Sequence, residues 1–294
     1  MHLITGEGQN LQLNKPAIIC LDGIDQPLFS SLRELCIGHD MLSSESYVSP
    51  TVRLFVKPLY SLVRAVSRIL GHGLADATSM HRHYDNADFI KLSAAVKKAA
   101  EKEVGSELSL VTALTHKAKY GESSSWHNGY YSPYIYNDDA DVLSVWVPLQ
   151  SITPDTGSSF RFWYDKSIER ISKQLCKNRW KQLDAKTRGS PMDIVNPGNE
   201  LRALYKLARD SDSATDKSRC TCHARLGEAI LFNEYWPHKT SKWLGDGVRL
   251  SIVLRFVKKG TGLNRMRLNK RKQALKLDED GWLQYCAFIS KIEE

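Results

Sequence analysis

The chain has 294 residues, 42% of them hydrophobic and 25% charged, enough to bury a full core as one domain. No apolar run approaches the roughly 18 residues that span a bilayer, and the first residues lack a basic stretch followed by an apolar one, so no membrane span or secretory signal is expected and the expected location is cytoplasmic. A net charge of +8 favours an anionic partner, either a small metabolite or an acidic carrier protein; without zinc-finger spacing or an RNA-binding aromatic signature, nucleic acid is not the expected partner.

In chain order, Ala17-Ile18-Ile19-Cys20-Leu21 is a compact apolar run closed by Asp22-Gly23 and predicts a strand. From Pro27 to Leu70 the apolar spacing is mostly helical, with Val52, Leu59, Val66 and Leu70 among the residues of one buried side. A second helix is predicted over Asp88 to Val104, where Ala, Lys and Glu dominate and Gly105 closes the run. From Leu108 the texture changes to short β-type runs: Leu108–Leu114, Ser132–Tyr136, Val142–Leu149, Ser159–Trp163, Ala229–Phe232 and Arg249–Val257. Such runs, punctuated by Pro and Gly, predict an antiparallel sandwich or barrel. Between them lies a basic, helical insert at about 165–217, in which Asp210 to Asp216 reads as a mobile polar stretch. A last helix is predicted from Leu275 to Ile292, carrying Trp282, Tyr285 and Phe288.

The expected fold class is therefore mainly β with flanking helices (α+β). Its core is expected to be an antiparallel sandwich or barrel built from those β runs. A single domain over 1–294 is expected: strand and helical support in 1–107, the catalytic core in 108–257 with the insert 165–217, and a basic C-terminal segment with a helix in 258–294. The six scattered cysteines read as reduced thiols, and Cys220-Thr221-Cys222-His223 lacks the second ligand pair of a zinc site, so its cysteines read as surface or loop residues.

One constellation carries chemistry. Non-haem iron(II) sites commonly use two histidines and a carboxylate on one face of the metal. Here Trp126-His127-Asn128-Gly129 supplies a histidine, His238 follows 111 residues later, and Arg249 comes 11 residues after that. An arginine at the start of a strand can grip a dicarboxylate with both prongs of its guanidinium. The carboxylate position, two residues after His127, is held by Gly129.

The surrounding motifs strengthen that reading. Lys119-Tyr120-Gly121, Trp126-His127, Leu143-Ser144-Val145-Trp146-Val147-Pro148-Leu149-Gln150, Pro154-Asp155-Thr156-Gly157-Ser158 and Gly227-Glu228-Ala229, with His238-Lys239-Thr240 and Arg249, resemble the phytanoyl-CoA dioxygenase family of iron(II)/2-oxoglutarate enzymes over roughly 108–257. The resemblance implies a double-stranded β-helix core (the cupin-like jelly roll), iron(II) on His127 and His238, 2-oxoglutarate on Arg249 with Thr240, Lys119, Ser144 and Thr156 as further contacts, and dioxygen as oxidant. Two departures stand out. Phe160-Arg161-Phe162-Trp163-Tyr164-Asp165 replaces the family's Pro-Gly-Ser-His turn, and Gly129 replaces its acidic ligand. A glycine at that position resembles the halogenase variant of the superfamily, in which chloride fills the vacancy and a substrate radical recombines with halide. That implies chlorination of an unactivated carbon in a small, anionic, nucleotide- or amino-acid-like metabolite, in natural-product biosynthesis. Arg161, if its strand turns it inward, and Trp126 are candidate substrate contacts.

Two alternatives remain open at this stage. Asn128-Gly129 is also a standard turn pair, and the missing carboxylate could come from Glu122, Asp138, Asp139 or Asp141, which would make the enzyme a hydroxylase. A basic binding protein without metal is the third reading.

Overall fold

The computed structural model describes Leu11 and residues 13–37, 76–79, 85–130, 133–137, 140–186, 196–212 and 216–275. The helical expectation for 38–70, the final helix over 276–292 and the candidates Asp138 and Asp139 lie outside the described residues.

Two antiparallel sheets face each other. The larger takes six strands: β1 (Ala17–Cys20), β2 (Asp76–Ser79), β3 (Leu108–Ala118), β5 (Val142–Pro148), β8 (Glu228–Asn233) and β10 (Arg249–Lys258), in the spatial order β1-β8-β5-β10-β3-β2. The smaller takes β4 (Ser124–His127), β6 (Phe160–Trp163), β7 (Arg219–Cys222) and β9 (His238–Thr240), in the order β4-β9-β6-β7.

The central strands β5, β8 and β10 of the large sheet are buried on both faces, and their side-chain alternation divides two cores. Leu143, Val145 and Val147 of β5 and Leu250, Ile252, Leu254 and Phe256 of β10 point to one face. There they meet α1 (Gln26–Ile37) through Leu28, Phe29, Leu32 and Cys36, and α2 (Ala87–Val104) through Phe89, Leu92, Val96 and Ala100. The α2 spacing of three and four residues makes one apolar stripe, Asn86 caps its first turn by accepting from the Phe89 N–H at 3.0 Å, and Gly105 ends it at φ 65°. The alternate residues, Trp146, Ile230, Phe232 and Val253, face the small sheet and pack with Phe160, Phe162 and Trp236.

The insert forms two helices, α3 (Lys166–Asp184) and α4 (Gly198–Asp210), and a last helix, α5 (Arg265–Leu275), follows the core. Trp180, Leu201 and Leu204 from the insert pack on Trp126, Tyr130, Trp163 and Tyr235, so it covers one end of the barrel. No described helix is long and apolar enough to cross a membrane.

Several local expectations are corrected. Of the strand expected over Ser132–Tyr136, Ser132 lies outside the described residues, Pro133–Ile135 is a 3₁₀ turn, and Tyr136 makes an isolated bridge to Leu263. Cys220 and Cys222 lie in β7 rather than on a loop, half-buried with their sulfurs 3.9 Å apart. Within the stretch read as mobile, Asp212 is the centre of an ion-pair cluster. It receives Arg161 at 2.7 Å and Lys239 at 2.6 Å, with Arg219 at 3.5 Å. Much of the basic excess is likewise engaged internally, since buried Arg267 pairs with Asp184 at 2.8 Å and buried Arg219 with Asp216 at 3.0 Å.

Candidate metal centre

The mouth between the sheets is built by inward-facing side chains of seven strands, β3, β4, β5, β6, β8, β9 and β10. His238 and Thr240, two apart on β9, point in while Lys239 points away to Asp212. On β4 the inward residues are Ser124 and His127, three apart, which strict alternation would set on opposite faces. The register shows why both point in: Ser124 pairs with Thr240 and His127 with His238, so β4 carries one extra residue in a bulge. The bulge seats the two histidines as cross-strand partners with ring centroids 4.3 Å apart.

Both imidazoles are fixed in the same manner. His127 Nδ1 lies 2.7 Å from the Ser125 carbonyl and His238 Nδ1 lies 2.8 Å from the Trp236 carbonyl. A carbonyl only accepts, so each Nδ1 carries the proton and each Nε2 keeps its lone pair. Burial is the main force holding both rings below the ordinary histidine pKa, with His238 lowered well below it. At neutral pH both are therefore uncharged donors, the form that binds a metal.

A third histidine joins this wall. His116 of β3 pairs with Ser251, and burial, then the charges of Arg255 and Arg249, push its pKa down to about 3. Its Nε2 is buried without a hydrogen-bond partner.

Opposite the histidines, Arg249 enters from the first position of β10, 2% exposed, its guanidinium 5.7 Å from the centre of the Trp146 ring. Neither Nε nor Nη1 has a hydrogen-bond partner. Burial lowers its pKa to about 10, opposed by the charge of Glu122, so it remains a cation at neutral pH. A buried cation with two idle donors is costly unless an anion completes it. Thr240 and Ser124 close the adjoining wall, each hydroxyl accepting the other's backbone N–H, at 2.7 and 2.8 Å.

The space beside Gly129 is filled, contrary to the expected vacancy. A Cβ on Gly129 would lie 1.0 Å from Glu234 Oε2 and 2.2 Å from its Cδ. Gly129 does not adopt the left-handed conformation that an Asn-Gly hairpin turn requires, and no turn is assigned at Asn128 or Gly129. Asn128 is instead a buried clamp. Its amide donates to Ser172 of α3 at 2.7 Å, and its carbonyl accepts from Tyr205 of α4 at 2.6 Å. The glycine is there because a neighbour needs its room.

Glu234, immediately after β8, is 1% exposed. Its backbone is pinned by donation to the Val142 carbonyl at 3.0 Å and by accepting from the Gly129 N–H at 2.9 Å. Oε1 accepts from Arg255 Nε at 2.8 Å and from the Ser144 hydroxyl. Oε2 accepts from nothing. Ser144 therefore holds a carboxylate rather than standing free for a co-substrate.

The other expected contacts fall elsewhere. Lys119 is exposed, its N–H donating to Glu122 at 2.8 Å. The Thr156 hydroxyl is engaged with Thr153, and Arg161 turns outward to Asp212. Trp126 is buried under Arg219 and Lys239 at the insert, each 5.2 Å from its ring centre, away from the histidine pocket. Of the proposed substitute carboxylates, Glu122 caps its own turn and Asp141 pairs with Lys173 at 2.6 Å. Glu234, His116, Arg255 and Ser124 are the polar pocket residues that the motifs did not indicate.

No family model and no curated protein matches this chain. Solved structures do. The epimerase SnoN in complex with Fe3+, alpha ketoglutarate and nogalamycin RO is similar at a TM-score of 0.50 and 12% identity, over 85% of this chain and 82% of that one. The fold is a jelly roll. The non-heme alpha ketoglutarate dependent carbocyclase SnoK (TM-score 0.47, 8% identity, 83% and 79% covered) and HygX from Streptomyces hygroscopicus with nickel and 2-oxoglutarate bound (0.47, 11%, 83% and 83%) are further similar structures.

The residues fit a bound metal on their own chemistry. Among the described residues no three His, Cys, Asp or Glu side chains already stand grouped as around an ion. Two neutral imidazoles with free Nε2 atoms nevertheless share one pocket with a buried, unpartnered carboxylate oxygen. That is a donor set suited to iron(II) or another first-row divalent metal.

Proposed function

We propose that the chain is an iron(II)- and 2-oxoglutarate-dependent enzyme that oxidises a C–H bond of a small molecule. The observation that carries this reading is the pair of free imidazole nitrogens on His127 and His238 in one buried pocket with the idle guanidinium of Arg249. The similarity in fold to SnoN, solved with Fe3+ and alpha ketoglutarate, supports the same pair of cofactors here.

His127 and His238 would hold the metal, each ring locked by its carbonyl so that Nε2 points into the pocket. Arg249 would take the distal carboxylate of 2-oxoglutarate through its two idle donors, with Thr240 and Ser124 as the polar wall beside it. Iron with 2-oxoglutarate supplies oxidising power by reducing dioxygen, with succinate and carbon dioxide as co-products. The aromatic floor of Trp146, Phe160 and Phe232 excludes water from that chemistry.

Gly129 suggests chlorination, which needs chloride on its side of the metal. Glu234 Oε2 stands on that side, and a carboxylate both occupies the space and repels an anion. The favoured outcome is therefore oxygenation or a related C–H oxidation without halide, in natural-product biosynthesis, on a substrate that the net charge of +8 suggests is anionic.

Succinate release by the purified protein with iron(II), 2-oxoglutarate and oxygen, in chloride and in chloride-free buffer, tests this. The reading expects succinate to require both iron and 2-oxoglutarate and to be indifferent to chloride. Turnover that rises with chloride would return the halogenase, and none in either buffer would count against the enzyme.

A further inference from the structure

We infer that Glu234 supplies the acidic metal ligand that residue 129 lacks, so that the carboxylate has moved from the strand of the first histidine to the residue after β8, four before the second. This rests on the metal-binding reading above and assigns it a third side chain.

Three observations carry it. First, Glu234 Oε2 lies 1.0 Å from where the Cβ of residue 129 would be, at the root of the side chain that an aspartate there would carry. Second, the two oxygens of Glu234 are treated unequally. Oε1 is held by Arg255 at 2.8 Å and by Ser144, whereas Oε2 is buried with no partner at all. An ion pair built for stability alone would satisfy both oxygens, because a bare buried carboxylate oxygen costs about 1–3 kcal/mol or more. One oxygen anchored and the other free is the arrangement of an oriented metal ligand. Third, Glu234 is itself among the side chains that line the pocket of both imidazoles.

The exchange also explains Gly129 without chloride. The backbone bond from Gly129 N to Glu234 O, 2.9 Å, brings the two residues so close that any side chain at 129 collides with the carboxylate. Either position can carry the acid, and the other must then be small. Halide-binding by default is not required of a glycine here.

The test is the affinity for cobalt(II), measured by calorimetry without oxygen or substrate, in wild type, His238→Ala, Glu234→Gln, Glu234→Ala and the relocated variant Gly129→Asp with Glu234→Ala. Loss of even an outer partner of a metal ligand costs about 10–100-fold in affinity, so Glu234→Gln is expected to lose at least about tenfold. The relocated variant is expected to regain what Glu234→Ala loses, while Gly129→Asp alone gains nothing. If Glu234→Gln fails to fold with Arg255 unpaired, Glu234→Gln with Arg255→Met removes both charges and takes its place in the comparison. Folded Glu234 variants that bind cobalt as wild type does, or a relocated variant no better than Glu234→Ala, would overturn the assignment. If His238→Ala binds as wild type does, or wild type does not bind, the metal-site reading itself fails instead.

Discussion

The N–H of Gly129 donates to the carbonyl of Glu234 at 2.9 Å, and the Glu234 carboxylate fills the volume that a side chain on Gly129 would take. The two residues thus share one space, and enlarging either must displace the other. Gly129→Ala should overpack the site and destabilise the protein by about 1–3 kcal/mol. The double change to Gly129→Ala with Glu234→Ala should lose less than the two single losses added together. Urea unfolding of the four proteins measures the coupling, and simple additivity would show that the crowding is not felt.

Arg255 is the cation that anchors this carboxylate, and both side chains are almost wholly buried. Arg255→Met should leave Glu234 charged and unpaired, costing about 3–5 kcal/mol in the metal-free protein. Saturating divalent metal should return part of that loss, because a bound cation becomes the new partner. Unfolding with and without cobalt(II) reads both effects, and an identical loss in the two states would argue against the metal beside Glu234.

Arg249 sets function against stability. Its Nε and Nη1 are buried and unsatisfied, so Arg249→Met should raise the urea midpoint of the cofactor-free protein while weakening 2-oxoglutarate binding by about 10–100-fold, the worth of one or two charge-assisted hydrogen bonds. A variant that binds 2-oxoglutarate normally would remove Arg249 from the co-substrate site.

The histidine cluster makes the fold sensitive to acid. His116 is pushed down to about 3 and the rings of His127 and His238 are also lowered, all mainly by burial. The unfolded chain binds protons on these rings below about pH 6.5 whereas the folded chain does not, so stability is full above that pH and falls as pH drops toward 3. His116→Asn removes one such group and should flatten the decline between about pH 6 and pH 4. Unfolding free energies across that range supply the check, and an unchanged slope would show that His116 titrates normally.

How much of this was legible in sequence follows from the kind of signal each feature leaves. Strands β3, β5, β8 and β10 and helix α2 announced themselves because they are long and their apolar periods are uninterrupted. Strand β9 has three residues, and β7 reads Arg219-Cys220-Thr221-Cys222 with no aliphatic or aromatic run, whereas the equally short β1 and β6 are rich in such residues. His127, His238 and Arg249 stood out through order and spacing, and the structure gathers them in one pocket. Glu234 did not, because its role depends on being beside Gly129 across a distance of 105 residues, and nothing local in Asn233-Glu234-Tyr235 indicates that contact. His116 likewise faces the pocket only through its pairing with Ser251. The bulge in β4, which turns both Ser124 and His127 inward, leaves no periodic trace at all.

The central claim is a pocket that takes a divalent metal on two imidazoles and 2-oxoglutarate on Arg249. Anaerobic calorimetry of 2-oxoglutarate binding, with and without iron(II), in wild type and in His127→Ala, addresses it most directly. The account predicts one metal per chain and 2-oxoglutarate binding that is strong only when the metal is present, both lost in His127→Ala. Binding of 2-oxoglutarate that ignores the metal, or no metal binding in wild type, would contradict it.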